Sequence, residues 1–188
     1  MGMTSTLFGI LMNVAILLVF LRFLMQLAMV TPYNPVVLST FKATKAVDIF
    51  SRIFPNLAKG RVNSAALVLL VILYLLKIVG SAYLAGILPH GALHLVVLTF
   101  ITMIQDLITF CRYLIFATII LGWVSLFTQS NSPYIEVVNE LAEPLLAPFR
   151  RILPNMGMID LSPILAFLAL YVAEVLMSEV ARTLLIGL

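Results

Sequence analysis

Leu93 to Phe127 reads LHLVVLTFITMIQDLITFCRYLIFATIILGWVSLF, 35 largely apolar residues. As a helix it would run about 52 Å at 1.5 Å per residue, against a hydrocarbon core of roughly 30 Å. That is too long for one upright span, yet two spans would need about 40 residues and a turn. The clearest polar break is Gln105-Asp106. It predicts one full span near 105–127, preceded by an interfacial or partly inserted stretch, 92–104. Elsewhere Leu7–Val30, Ser64–Leu88 and Ser162–Leu185 each have the length and composition of one spanning helix. The chain therefore reads as an all-α, polytopic helical membrane protein with about four transmembrane helices, or five if 92–104 inserts.

Composition points the same way. Of 188 residues, 63% are hydrophobic and 10% charged, whereas soluble domains have roughly 45–50% and 25%. Uncharged stretches recur from end to end and leave no separate soluble domain. A formal charge of +3, from 11 basic and 8 acidic residues, is too small a surplus to argue for nucleic acid. Cys111 is the sole cysteine, cannot form an internal disulfide, and reads as a packing residue. No basic residue precedes the first apolar run, which is too long for a cleaved signal core, so it is expected to stay as a span. Met1-Gly2-Met3-Thr4-Ser5-Thr6 fits the loose myristoylation pattern, but one acyl chain adds little to a chain held by several helices.

Loops rich in Lys and Arg stay in the cytoplasm. With four spans, loops 31–63 and 128–161 share a side. The first carries Lys42, Lys45, Arg52, Lys59 and Arg61 and the second Arg150 and Arg151, together 7 of the 11 basic residues. Both loops are thus predicted to be cytoplasmic in a bacterial inner membrane, with both termini and the Pro89-His90-Gly91 turn outward. The loops differ in sign: five basic residues face Asp48 in the first, whereas two face Glu136, Glu140, Glu143 and Asp160 in the second. Ion pairing between them is therefore expected, within one chain or between protomers, at about 0–1 kcal/mol per surface pair.

The sequence also repeats. Met25–Pro35 aligns without gaps on Trp123–Pro133, and Arg52-Ile53-Phe54-Pro55-Asn56 matches Arg151-Ile152-Leu153-Pro154-Asn155 after one inserted residue. Each unit is a span, a loop of roughly 30 residues and a returning span. The boundaries fall at 1–90 and 91–188, giving two tandem repeats in the same orientation, related by an axis along the membrane normal.

The second copy contains Asn131-Ser132-Pro133, then Glu143-Pro144-Leu145-Leu146-Ala147-Pro148-Phe149-Arg150-Arg151-Ile152-Leu153-Pro154, then Gly157-Met158-Ile159-Asp160-Leu161-Ser162-Pro163. This pattern resembles the YggT (YlmG-like) family of bacterial and plastid membrane proteins, over about residues 18–80 and 115–180. The first copy departs from it, with Ala46 where a proline is usual, Ser51 for one arginine and Arg61 at the Asp160 position. The resemblance implies links to osmotic and salt tolerance and potassium uptake in bacteria. In cyanobacteria and plastids it implies links to cell division, nucleoid distribution and cytochrome haem maturation.

Two sets of residues are candidates for function. In the second loop, Ser132 and Ser162 precede prolines and are expected to cap helices. Val138, Leu141, Leu145, Phe149 and Ile152 step by three and four opposite Glu136, Glu140 and Glu143, an amphipathic segment bent at Pro144 and Pro148 and lying on the membrane surface. Glu143, Pro144, Pro148, Arg150, Arg151, Pro154, Gly157 and Asp160 form the candidate partner- or lipid-binding loop; Arg150 and Arg151 also suit simple topology-setting charges. Inside the membrane, where ionisable groups are costly, Lys77, Asp106, Arg112 and Glu174 form the second set.

Lys77 lies 13 residues past Ser64 and Glu174 12 past Ser162, so they reach a similar depth and are expected to pair. Asp106 and Arg112, six positions apart, should find separate partners. Glu179 and Arg182 should pair locally, and Arg22 should snorkel to the interface. Gly80, Ala82, Gly86 and Gly122 are expected at close helix contacts. His90 and His94, four apart, lack a third ligand, so no metal or cofactor is expected. With no phosphate loop or catalytic set, the chain reads as a non-enzymatic organiser or accessory protein whose loops dock a cytoplasmic or membrane partner. The alternative is an oligomeric potassium-transport component.

Overall fold

The computed structural model describes residues 2–57, 60–87, 91–128, 132–152 and 160–186. Four helices are long and apolar enough to cross a membrane: α1 (Met3–Leu27), α4 (Ser64–Leu84), α5 (Ala92–Thr128) and α7 (Ser162–Ile186). Three others, α2 (Pro35–Ala43), α3 (Ala46–Ser51) and α6 (Pro133–Ile152), occupy the two polar loops. No more than 28% of any span is buried within the protein. The Leu, Ile and Val side chains on their outer faces are thus left for lipid, whose tails are as apolar as they are.

The stretch 92–104 is not set off from 105–127 by a break, contrary to the sequence reading. Ala92–Thr128 is one helix of 37 residues. Gln105-Asp106 does not interrupt it because a helix satisfies its own backbone groups in lipid, and the Asp106 carboxylate has a donor in Tyr74 on α4, at 2.8 Å.

Local chemistry sets the other ends. Asn34 and Asn63 cap α2 and α4 by accepting from the Val36 and Ala66 N–H groups, each at 2.9 Å. At the end of α1, Val30 N–H returns to the Met25 carbonyl and Met29 N–H to that of Gln26. This double return needs the left-handed backbone found at Met29 (φ 56°). Gly86 (φ 70°) makes the same turn after α4, without the Cβ penalty. α7 does start at Ser162, but Ser162 is not its cap: its N–H is received by Asp160, at 2.9 Å.

α1 packs on α4 and α5 on α7, with α4 meeting α5 between the pairs. One buried cluster joins Ile16, Val19 and Phe20 of α1 to Val47 of α3 and Leu70 and Tyr74 of α4. The other gathers Met25, Val37, Ile115, Leu141, Leu146 and Ala166 from α1, α2, α5, α6 and α7. α6 therefore does not simply lie on a membrane surface: it seals the loop-bearing end of α5 and α7 and reaches α2. Its buried face is Val137, Leu141, Ala142 and Leu146, with Val138, Leu145 and Phe149 packed beside it, whereas Ile152 is exposed. Pro144 and Pro148 lie inside this helix without ending it. Being four apart and both exposed, they free carbonyls on one outward face, where polar surroundings can take them.

Of the four small residues, Gly80 makes a close contact: a Cβ there would come within 2.5 Å of the Phe8 ring on α1. Gly122 opens onto empty space instead, and Gly86 serves the turn.

Candidate functional site

The charged residues of the spans are sorted by α5. Six positions along a helix amount to about 240° of rotation, so Asp106 faces α4 while Arg112 faces α7. Lys77 Nζ lies 4.0 Å from Asp106 Oδ2 and Arg112 pairs with Glu174. The expected Lys77–Glu174 pair is therefore not formed. Similar depth did not make them neighbours, because α4 and α7 each pack on α5. Thr109 adds a bond to Glu174 at 3.3 Å, and the Arg112 guanidinium lies 6.0 Å from the Phe167 ring centroid. The side chains of Arg112 and Glu174 are only 18% and 30% exposed, so this pair reads as structural.

The Asp106 site is looser. Its side chain is 49% exposed, and Lys77 Nζ sits 5.6 Å above the Tyr74 ring. A cavity of about 380 Å³ is bounded here by Asn13 and Phe20 of α1, Tyr74 and Lys77 of α4, and Asp106 and Phe110 of α5. It gathers an amide, a phenol, an ammonium and a carboxylate from three spans, enough to hold water or a small hydrated cation against a carboxylate whose counter-ion is not in direct contact.

Arg22 does not snorkel. It is 6% exposed and turns into the first loop, donating to the Thr44 carbonyl at 2.8 Å and Thr44 Oγ1 at 3.2 Å and pairing with Asp48. The guanidinium lies 4.7 Å from the Phe41 ring centroid. α2 and α3 are thus pinned to α1 by a charge that satisfies loop carbonyls instead of seeking water. Gln26 continues the fastening, donating to the Gly60 carbonyl at 2.7 Å and accepting from Asn63 at 2.8 Å. At the far end of α7 the expected local pair is missing: no ion pair joins Glu179 and Arg182 among the described residues.

The two loops dock, though among the described residues not by the ion pairs their opposite signs suggested. Thr31 gives its N–H and hydroxyl to Glu140, at 2.8 and 2.5 Å. Asn34 gives its amide to Glu136 and to the Pro133 carbonyl, at 2.9 and 3.0 Å. Glu136 and Glu140, one helical turn apart on α6, thus meet the residues that lead into α2.

Within the second loop Arg150 pairs with Glu143 one way and with Asp160 the other, the latter at 3.0 Å. Burial works against the Asp160 charge, but Ser162 and Arg150 outweigh it and hold the carboxyl below the usual carboxylate range. Arg151 is exposed. Pro154 and Gly157 lie outside the described residues, as does His90 of the His90–His94 pair. Among the described residues no cluster of His, Cys, Asp or Glu could hold a metal ion.

Residues 97–181 match the CCB3/YggT family. The chain is 35% identical to the Escherichia coli K12 protein YggT over 163 residues, 86% of this chain and 82% of that one. The chain belongs to the YggT family. A Pseudomonas aeruginosa relative is 35% identical over 165 residues, covering 86% of this chain and 81% of that protein. One from Vibrio alginolyticus is 32% identical over 183 residues, 96% of each chain. All three relatives are described as uncharacterized. No solved structure matches the chain. The family match covers most of α5, all of α6 and most of α7, and so takes in the Arg112–Glu174 pair and the Arg150 cluster.

Sequence reasoning did not find Tyr74, Asn13, Thr31 or Asn34 as site residues. Asn34 was within reach, since Asn34-Pro35 aligns on Ser132-Pro133. Asn13 and Tyr74 carried no signal, because one polar atom on a span says nothing about its neighbours.

Proposed function

We propose that this protein is a non-enzymatic organiser or accessory protein of the bacterial inner membrane, acting through a cytoplasmic cap built from both loops. The observation that carries this reading is the docking of Thr31 and Asn34 onto Glu140 and Glu136. A loop pair held in one shape loses little entropy when a partner binds. Exposed on it are Lys42, Lys45, Arg52 and Arg151, an array that suits an acidic protein surface. The span–loop–span halves 1–90 and 91–188 are read as tandem repeats, which supports a cap of two related parts. The family resemblance ties the role to osmotic tolerance or to envelope and division processes.

Photo-cross-linkers placed at Lys42 and Arg52, with one at Tyr83 in the last turn of α4 at the other end of the spans, test this in cells. Adducts at the first two sites that vanish with Lys45→Glu and Arg151→Glu, from protein still in the membrane, are expected. Adducts unchanged by charge reversal would count against the reading.

A second reading, cation transport by an oligomer, is favoured by the cavity beside Asp106. It expects potassium flux from proteoliposomes that changes in Asp106→Asn and Lys77→Ala. Flux equal to that of protein-free vesicles would remove it.

A further inference from the structure

A second cavity, of about 620 Å³, lies away from the one in the middle of the spans. It lies where α5, α6 and the start of α7 meet, and its volume is that of a small-molecule site. Its two ends differ. Thr118, Ile119, Gly122 and Trp123 line it from the apolar part of α5, and Pro163 from the first turn of α7. Asn139, Arg150 and Asp160 line the other end, outside the spans. Trp123 and Phe127 border it at 64% and 82% exposure, an aromatic rim of the kind found at headgroup level. Apart from its own stretch of helix, no described atom lies within 4 Å of a Cβ built at Gly122, so the groove runs up to the α5 backbone.

An occupant of such a groove must be apolar at span depth and polar at the loop end, which is the build of a phospholipid. The charges at the polar end select the headgroup. Arg150 and Asp160 are the charges that line it and they pair with each other, while Glu143 holds Arg150 from its other side, so the one guanidinium there is already matched. A headgroup that is only anionic would bring its phosphate to a guanidinium already neutralised and leave the Asp160 carboxylate without a new donor. A headgroup bearing both a phosphate and a primary ammonium fits: the phosphate accepts from the Arg150 guanidinium and the Asn139 amide, and the ammonium donates to Asp160. A quaternary ammonium has no N–H to donate. We propose that the groove between α5, α6 and α7 is a binding site for a zwitterionic aminophospholipid of the phosphatidylethanolamine class, its chain along Gly122 and its headgroup at Arg150 and Asp160.

Trp123 is the protein's one tryptophan and lines the groove, so it reports occupancy directly. The full chain is placed in phosphatidylcholine nanodiscs with a minor fraction of lipid brominated on its acyl chains, carrying an ethanolamine, choline or glycerol headgroup. Brominated phosphatidylethanolamine is expected to quench Trp123 about threefold more than an equal fraction of brominated phosphatidylcholine, the preference expected of a charge-assisted contact at a partly exposed site. Gly122→Leu, which fills the groove from open space, should reduce the two to equality while ordinary bilayer quenching persists. Asp160→Asn should lower the preference by removing the ammonium's partner. Equal quenching by all three headgroups in the unmodified protein, or stronger quenching by phosphatidylglycerol, would overturn the proposal without any variant. Survival of the ethanolamine preference in folded Gly122→Leu would do so too.

Discussion

Replacing Arg22 by Met keeps an unbranched apolar stem and removes the guanidinium with its charge and donors. Two hydrogen bonds to Thr44, at 2.8 and 3.2 Å, are lost together with the Asp48 pair. Bonds from a charged donor contribute about 1.5–3 kcal/mol each, but Thr44 Oγ1 keeps its own bond to the Thr40 carbonyl, so the buried Thr44 carbonyl dominates. Asp48 has a 58% exposed side chain and adds about 0–1 kcal/mol. Against these losses, Arg22 Nε is buried without a hydrogen-bond partner, and Met relieves that cost. The balance is about 2 kcal/mol against the docking of α2 and α3, or roughly 30-fold in the opening equilibrium. Hydrogen exchange in nanodiscs measures it. Amides from Thr44 to Phe54 should exchange roughly 30-fold faster while α7, which Arg22 does not touch, keeps its protection. Unchanged exchange over 44–54, or equal loss in α7, would refute the argument that this buried charge holds the first loop.

Glu140→Ala removes the acceptor for both Thr31 donors; the Thr31 amide should exchange about tenfold faster, at the lower end for charged hydrogen bonds because the site is part-exposed. Asp160 has a depressed pKa, so its stabilisation is complete above the ordinary carboxylate value of about 3.9 and is lost as pH falls through the lower folded value. Protection of the first turn of α7 should therefore fall on acidification below about pH 4 and become insensitive to acid in Asp160→Asn. For Lys77 and Asp106, unfolding of Lys77→Ala, Asp106→Ala and the double variant should reveal a favourable coupling of about 0.5 kcal/mol, and strict additivity would mean that the 4.0 Å pair does not interact. Gly80→Leu must displace the Phe8 ring, and a loss of about 1–3 kcal/mol in thermal unfolding is expected, as for other overpacked contacts.

What the sequence made legible was whatever depends on one helix at a time. Span positions followed from apolar length, and the amphipathic α6 from its three-and-four stepping; Asp106 and Arg112 had to diverge because they are six residues apart. What it hid depends on which helices touch. Lys77 and Glu174 match in depth yet are kept apart by α5, a fact of lateral arrangement that no count along the chain contains. Arg22 was misread because a span-end arginine reaches water as easily as loop carbonyls, and only the fold of 35–51 decides between them. The docking of Thr31 and Asn34 on Glu140 and Glu136 was hidden similarly, since the charge tally pointed to lysines that stay exposed.

The length of α5 has one further consequence. Its apolar stretch of 34 residues measures about 51 Å, whereas the 21 residues of α4 measure about 32 Å. Burying all of the former in a core of roughly 30 Å would need a tilt beyond the usual range of 0–40°. α4 is cut to the bilayer and α5 carries slack. A thicker membrane would strain α4 first, while α5 could take up the change by standing more upright, so hydrophobic mismatch falls unequally on two helices held together at Tyr74 and Asp106.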